Sequence, residues 1–273
     1  MADSGTPKGD QLSNAQTASP RWALVLGASS GFGAECSQAL AAAGYEICGV
    51  HLDRKAGLAG VEEIRKKIEA KGRRALYFNV NAADAEKRKE VVDALVAEKA
   101  NVAVLLHSLA FGTLKPFIAE DHITDQNMDM TLAVMAHSLV YWTQDLVLRG
   151  LMGSGGRIFS MTSSGSTRVI PSYGAVSAAK CALESHTRQL AYELSPRGIA
   201  VNALRAGVTI TPASSKIPDS DKLFEHAIKR NPGKRMTTTK DVASALVALC
   251  HPEAGWVTGN VINVDGGEEI AGG

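Results

Sequence analysis

The feature that most constrains the fold of this chain is the alternation of short apolar runs with longer segments of helical period. From residue 21 onward each apolar run has the length of a strand, and most segments between the runs repeat their apolar residues at helical spacing. This rhythm is typical of βαβ units, in which crossover helices join parallel strands. The predicted strands are residues 22–26, 46–52, 75–80, 101–108, 156–163, 198–206 and 260–265.

Helices are predicted between most of these strands. The first opens at a glycine cluster after the first strand and runs through Ala43, where Gly44 would end it as a C-cap glycine. The others are residues 61–72, 124–151, 175–194 and 241–250. The predicted fold class is therefore α/β, a single-domain Rossmann fold. Its doubly wound parallel sheet should have about seven strands with helices on both faces.

A polar insertion at residues 208–236 interrupts this rhythm. It carries a short helical pattern at residues 222–230. We expect it to form a substrate lid, because mobile lids exclude water from a catalytic site and complete it. The alternative is a plain surface excursion.

Composition limits the remaining classes. A chain of 273 residues with 45% apolar content can bury one substantial core, which we place in residues 21–273. Its 29 basic residues against 28 acidic ones give no excess charge that would bind nucleic acid or an anionic membrane. Residues 1–20 lack an apolar segment, so we expect a disordered tail rather than a signal peptide. No apolar run reaches the roughly 18 residues of a membrane span.

The four cysteines are widely separated. Cys36, Cys48, Cys181 and Cys250 form no CxxC pair, so neither a disulfide framework nor a metal site is indicated. This usage favours a protein of the reducing cytoplasm.

The glycine cluster GASSGFG, residues 27–33, predicts a dinucleotide site. It directly follows the first strand and opens the first helix, the context in which such a motif is informative. Its glycines would allow a sharp turn, close approach of a diphosphate and tight packing of the helix on the sheet. A merely structural turn is the alternative. The predicted contacts are Gly27, Ser29, Ser30, Gly31, Phe32 and Gly33.

The choice of cofactor depends on the end of the second strand, where an acid would bind the adenine ribose and exclude a 2′-phosphate. His51 stands at that position, 24 residues after Gly27. Arg54 and Lys55 follow it and could pair with a 2′-phosphate, whereas Asp53 could compete for the ribose. We expect NADPH to be favoured, with NADH as the alternative. Arg54 and Lys55 could also be only the solvated start of a helix.

Tyr173 and Lys180 are the candidate catalytic pair. They are seven residues apart, which places them on one face of a helix. A tyrosine is a weak acid at neutral pH, and a nearby ammonium would favour its phenolate. An exposed tyrosine and a surface lysine on an amphipathic helix are the alternative.

Over residues 21–267 the sequence resembles the short-chain dehydrogenase/reductase family. The resemblance rests on GASSGFG, the serine-bearing fifth strand, the tyrosine–lysine helix and the terminal VTGNVINVDGG. Most members that act on ketones and alcohols have Tyr-x3-Lys, but here Ser177 stands four residues after Tyr173 and the spacing is Tyr-x6-Lys.

That spacing resembles the enoyl-acyl carrier protein reductase branch of the family. The sequence His107-Ser-Leu-Ala-Phe111 resembles the same branch, because most members have an Asn-Asn-Ala-Gly-type stretch there. Ala133 falls where ketoreductases carry a catalytic asparagine. The glycine turn is of the general short-chain type, so the closer likeness is to the NADPH-using subgroup that keeps this turn.

The resemblance implies hydride transfer from the nicotinamide C4 to the β-carbon of a trans-2-enoyl thioester. Tyr173 would donate a hydrogen bond to the developing oxyanion, and Lys180 would bind the nicotinamide ribose and hold Tyr173 in place. Ser163, ten residues before Tyr173, is either a hydroxyl donor or simply a small strand residue.

The resemblance also assigns further cofactor contacts and partners. The contacts are Asn79 and Val80 at the adenine, Ser108, Leu109 and Ala110 after the fourth strand, and Gly207, Thr209 and Thr211 after the sixth. The substrate would be an acyl carrier protein or CoA thioester. A homotetramer would form through the helix at residues 177–194. Independently of the resemblance, the charges of the insertion suggest a basic patch that would dock an acidic carrier, the alternative being a solvated helix face. The patch comprises Lys216, Lys222, Lys229, Arg230, Lys234 and Arg235.

Two other functions remain open at this point. One is a ketoreductase or hydroxysteroid dehydrogenase, in which Ser163 would polarise a carbonyl. The other is a dinucleotide-sensing protein without turnover, against which the intact Tyr173 and Lys180 argue.

Overall fold

The computed structural model describes residues 20–217 and 220–271, which contain one seven-stranded sheet. Its strands are β1 Arg21–Leu26, β2 Glu46–His51, β3 Ala75–Asn79, β4 Asn101–His107, β5 Arg157–Thr162, β6 Ala200–Ala206 and β7 Val261–Val264. They are parallel throughout and lie in the order β3-β2-β1-β4-β5-β6-β7. The predicted Rossmann fold is confirmed. The tail expected at residues 1–20 lies outside the described residues except for Pro20.

The helices are α1 Gly31–Ala42, α2 Leu58–Glu69, α3 Ala85–Ala97, α4 Asp125–Leu132, α5 Ser138–Leu148, α6 Gly174–Leu194, α7 Ser220–Arg230 and α8 Thr239–Leu249. A π-helical turn, Ala133–His137, joins α4 to α5, so the helix predicted at 124–151 is a single rod with a widened turn at its centre. It ends at Leu148.

Helix α3 is absent from the sequence-based prediction. Its N-terminal signal is Asp84, whose carboxylate accepts hydrogen bonds from the backbone N–H groups of Glu86 and Lys87. Val91, Val92 and Leu95 are buried at helical spacing along it. The helix supplies the crossover that the parallel strands β3 and β4 require.

Two apolar cores lie on opposite faces of the sheet. One packs α3, α5 and α6 against the strands, with Trp142 and Leu183 fully buried in it. The other packs α1, α2 and α8, with Leu40 and Ile68 among its buried members. The helices are therefore on both faces, and the central strands are buried on both sides.

The strand order reverses between β1 and β4, which lie side by side at the centre of the sheet. In open α/β sheets, ligands bind in the crevice outside the carboxyl ends of the strands at such a point. The loops after β1, β2, β4, β5 and β6 all leave the sheet at this edge because the strands are parallel. None of the described helices is both long and apolar enough to cross a membrane.

Candidate active site

A cleft of about 410 Å³ lies where the strand order reverses. The predicted cofactor residues that line it are Gly27, Ser29, Ser30, Gly31, Phe32, His51, Val80, Ser108, Leu109, Ala110 and Thr211. Sequence reasoning did not assign the lining residues Asn81, Ala82, Met130, Val134, Pro212 and Ala213 to the site. A second cavity, of about 280 Å³, is lined by Arg21 and Arg157 at the start of β1 and β5 and by none of the predicted site residues.

Other predicted cofactor residues do not line this cleft. They are Gly33, Arg54, Lys55, Asn79, Lys180, Gly207 and Thr209. Thr209 is buried and donates a hydrogen bond to the carbonyl of Gly207, so both belong to the turn after β6. The assigned roles of all these residues stay predictions.

The glycine turn is tightly packed and leads into the N-terminus of α1. Gly27 has φ +88°, and a Cβ there would collide with the backbone carbonyl of Ser108. A Cβ on Gly33 would collide with the carbonyl of Gly27. Ser30 precedes α1 without a side-chain hydrogen bond to its first turn, where no acidic residue lies. The amides at this helix N-terminus therefore suit an anion.

The end of β2 is organised around Asp53. Its carboxylate lies 2.9 Å from the buried His51 Nδ1, and the Asn79 side-chain amide bonds both its backbone N–H and its carbonyl, at 2.9 and 3.0 Å. Asn79 thus fixes the loop that carries Asp53. Arg54 and Lys55 are exposed and outside the lining, so the charged residue that this loop presents to the cleft is an acid.

Tyr173 is the residue immediately before α6, and its hydroxyl lies 3.5 Å from Ser163 Oγ. Its ring packs against an apolar cluster of Val134, Met135, Val176 and Ala179. Burial raises the pKa of Tyr173, and the Ser163 hydrogen bond only partly opposes this. The expectation that Lys180 would favour a phenolate is wrong, since apolar packing around the ring dominates. At neutral pH the hydroxyl is a protonated donor.

Lys180 is buried and donates a hydrogen bond from Nζ to the carbonyl of Met161, at 2.6 Å. Burial lowers the pKa of Lys180 to about 8, and the carboxylate of Glu184 opposes that effect. The side chain is therefore still largely charged at neutral pH. An ammonium has three donors, of which Met161 takes one.

His107 ends β4 and is fully buried, with Nε2 at 2.8 Å from Ser138 Oγ. The Ser138 hydroxyl already donates to the carbonyl of Val134 at 2.7 Å, so we assign the proton of the His107–Ser138 bond to Nε2. Burial lowers the pKa of His107 to about 3, which keeps the ring neutral. It packs beside the π-helical turn, a feature common near functional sites.

The basic residues of the insertion differ in their contacts. Arg235 makes two hydrogen bonds to Asp241, at 2.7 and 3.0 Å. Arg230 donates to the carbonyls of Glu269 and Ala271. These two arginines stabilise the fold locally, while Lys216 lines the cleft and Lys229 is exposed.

A Rossmann sheet, a cleft with a glycine turn at its switch point, and a half-buried tyrosine followed seven residues later by a buried lysine define an oxidoreductase of the short-chain type. Comparison with known proteins narrows the class. The family model described as enoyl-(acyl carrier protein) reductase matches residues 27–269.

Individual relatives include enoyl reductases and other short-chain oxidoreductases. An enoyl-[acyl-carrier-protein] reductase [NADH] of Aquifex aeolicus is 33% identical over 172 residues, which cover 62% of this chain and 63% of that protein. The crystal structure of the enzyme from that organism superimposes with a TM-score of 0.82 at 26% identity, covering 93% and 98% of the two chains. An NADPH-dependent aldehyde reductase-like chloroplastic protein of Arabidopsis thaliana is 30% identical over 257 residues, 90% and 93% of the two chains.

A short-chain dehydrogenase of Burkholderia cenocepacia, solved with NADP, has a TM-score of 0.79 at 28% identity and covers 91% and 98% of the two chains. The family match over residues 27–269 shows the family of the chain. It belongs to the enoyl-(acyl carrier protein) reductase family of short-chain oxidoreductases.

Proposed function

We propose that this protein reduces the carbon–carbon double bond of trans-2-enoyl thioesters with a nicotinamide dinucleotide, in fatty-acid elongation. The observation that carries the proposal is the Tyr-x6-Lys spacing of Tyr173 and Lys180 in a chain of the enoyl-(acyl carrier protein) reductase family. Burial raises the pKa of Tyr173, so its hydroxyl is protonated at neutral pH, and it lies beside apolar side chains. It can therefore donate a hydrogen bond to an oxyanion.

The bound cofactor would supply hydride to the substrate β-carbon. Tyr173 would donate a hydrogen bond to the thioester oxygen, on which negative charge develops as the enolate forms. Lys180 would bind the nicotinamide ribose with donors that Met161 leaves free. The glycine turn and the N-terminus of α1 would hold the diphosphate. Protonation of the enolate at its α-carbon, by a proton taken up from solvent, would complete the reduction.

Exposed apolar side chains on the loops after β4, β5 and β6 support an acyl substrate. Phe117 and Ile118 follow β4, Val169 follows β5 and Ile210 follows β6, and all four are at least half exposed. The three strands are neighbours, so these loops leave the sheet at the same edge as the cleft. Exposed apolar side chains on loops at one end of a sheet suit the binding of an apolar ligand. The lid role of residues 208–236 belongs to the same proposal.

Ser163 favours a second candidate. Its hydroxyl is 3.5 Å from Tyr173, a distance at which both could address the carbonyl of a ketone. A ketoreductase or hydroxysteroid dehydrogenase is therefore the alternative, and the aldehyde reductase-like relative is consistent with it.

One assay separates the candidates. Oxidation of NADH and NADPH is followed with a crotonyl thioester, with a β-ketoacyl thioester and with neither. We expect turnover with the enoyl substrate. Turnover with the ketone alone would support the second candidate, and dinucleotide binding with no turnover would support a sensing role.

Cofactor preference is the first prediction. Preference for NADPH, inferred from Arg54 and Lys55, stays a prediction, and Asp53 opposes it by lining the cleft. Asp53→Asn should raise the NADPH-to-NADH ratio of kcat/KM by about tenfold, because it removes repulsion of a 2′-phosphate. Replacing both Arg54 and Lys55 by alanine should lower the ratio. If the NADPH-to-NADH ratio of kcat/KM were unchanged in the double variant, these two cations would be in contact with solvent and not with the cofactor.

Carrier docking is the second prediction. Reversing the charges of Lys229 and Lys234 to glutamate should raise KM for a carrier-bound substrate, and the effect should weaken as salt increases. Arg230 and Arg235 are left in place because they contact other parts of the fold, whereas Lys234 donates only to the nearby carbonyl of Lys229, at 3.1 Å. The control is reversal of Lys66 and Lys67, two exposed lysines on α2.

A substrate without phosphate tests whether this effect is docking. Turnover of an N-acetylcysteamine thioester should be unaffected by the reversal at Lys229 and Lys234. An equal loss with that substrate, or with the α2 control, would contradict carrier docking. The homotetramer and the cytoplasmic location remain part of the proposal.

A further inference from the structure

Glu184 is a buried carboxylate one helical turn after Lys180 on α6. Its Oε1 accepts a hydrogen bond from Thr162 Oγ1 at 2.6 Å and from the Arg205 guanidinium at 3.1 Å. The Glu184 and Arg205 side chains are only 11% and 12% exposed. A buried ion pair with a further hydrogen bond has little value for stability over apolar packing, so its placement suggests another role.

This ion pair is linked to the loop that carries the catalytic hydroxyls. Arg205 also donates to Ser166 Oγ at 3.1 Å, and Ser166 Oγ donates to the carbonyl of Ser163 at 3.0 Å. Lys180 holds the carbonyl of Met161. Three consecutive residues at the end of β5, Met161 to Ser163, are thus each bound by this group of side chains.

We propose that Glu184, held by Arg205, is a positioning residue for the reaction. It fixes the end of β5, which leads into the loop that carries Ser163, and it keeps a negative charge one helical turn from Lys180. It touches neither substrate nor cofactor in this scheme. Its effect on turnover rests on the proposed reductase function, whereas its effect on Lys180 does not.

The other titratable groups on the elements around α6 are either neutral or already hydrogen-bonded. From β4, His107 faces Lys180 as a neutral ring, because burial lowers the pKa of His107 to about 3. From the π-helical turn, His137 is engaged with His186, at 2.9 Å between ring nitrogens. From β6, Arg205 is paired with Glu184. Glu184 is the group that raises the pKa of Lys180 against burial.

Stability as a function of pH tests the proposal without any substrate. Burial lowers the pKa of Lys180 from its ordinary value of 10.5 to about 8. The charged lysine therefore destabilises the folded protein fully below pH 8, and this penalty disappears as pH rises from about 8 to 10.5. Glu184→Gln should lower the folded-state pKa by about one further unit. The loss of unfolding free energy in the variant should therefore be larger at about pH 6 than at about pH 9, measured by chemical denaturation.

A matched control separates this effect from ordinary loss of an ion pair. Asp145→Asn breaks the Arg88–Asp145 pair, 2.6 Å long, between α3 and α5. The loss of unfolding free energy in Asp145→Asn should be the same at both pH values. Arg205 keeps its charge over this range, so loss of the Glu184–Arg205 ion pair by itself also has the same effect at both pH values. An equal loss at both pH values in Glu184→Gln would therefore overturn the electrostatic role.

Turnover gives the second readout. We expect the alkaline limb of the kcat profile to follow deprotonation of Lys180, and in Glu184→Gln this limb should move about one unit toward lower pH. In Asp145→Asn the limb should stay in place. If Glu184→Gln fails to fold, the double variant Glu184→Gln with Arg205→Met leaves no unpaired charge and should fold. An unmoved limb in the folded variant would contradict the proposal.

Discussion

Tyr173→Phe should reduce kcat on an enoyl thioester by about 100- to 1000-fold, the usual effect of removing one donor from an oxyanion site. The substitution removes only the hydroxyl, which is 3.5 Å from Ser163, and leaves the ring in its apolar cluster. Dinucleotide affinity and melting temperature should stay close to those of the unmodified protein. Steady-state kinetics and a fluorescence titration with the dinucleotide measure the two effects separately.

Tyr192→Phe is the matched control for this experiment. Tyr192 lies on the same helix, α6, and is 80% exposed. It should retain full activity. If Tyr173→Phe also kept near-normal activity, the oxyanion donor would have to be another group, and Ser163 is the nearest hydroxyl in the described site.

The sequence predicts an element of the fold wherever its local pattern, such as an apolar run or a helix-ending glycine, matches the structure that forms. The seven strands were located to within two residues because buried parallel strands are continuous apolar runs. Gly44 ended the first helix as expected, with φ +96°. Helix α3 was missed because its apolar face has only three buried residues among many charged ones. The π-helical turn has no local signal, since Ala133–His137 reads as ordinary helix.

The sequence predicts which residues form the site but not how they interact. Spacing identifies Tyr173 and Lys180, but the pKa of Tyr173 depends on side chains far away in sequence, such as Val134. Asn79 was assigned to the adenine from its position, whereas its amide holds the Asp53 loop. Glu184 and Arg205 lie on different elements, and only the fold brings them together.

Gly33→Ala should weaken dinucleotide binding by about tenfold to a hundredfold, the consequence of about 1–3 kcal/mol of overpacking. A Cβ on Gly33 would lie inside contact distance of the Gly27 carbonyl, and its nearest neighbours are backbone atoms that no rotamer change can move. Either α1 or the turn must therefore shift. Gly27 and the N-terminus of α1 both line the cleft, so this shift displaces the groups that face the diphosphate.

Gly60→Ala provides the control for that substitution. Gly60 is also a helical glycine, on α2, and a Cβ there meets nothing within 4 Å. Alanine favours a helix over glycine by about 1 kcal/mol, so this variant should be at least as stable as the unmodified protein and should bind the dinucleotide normally. The comparison isolates the contact with Gly27 from the general effect of replacing a helical glycine. Normal affinity in Gly33→Ala would show that the turn accommodates the methyl group and that close packing here is not required for binding.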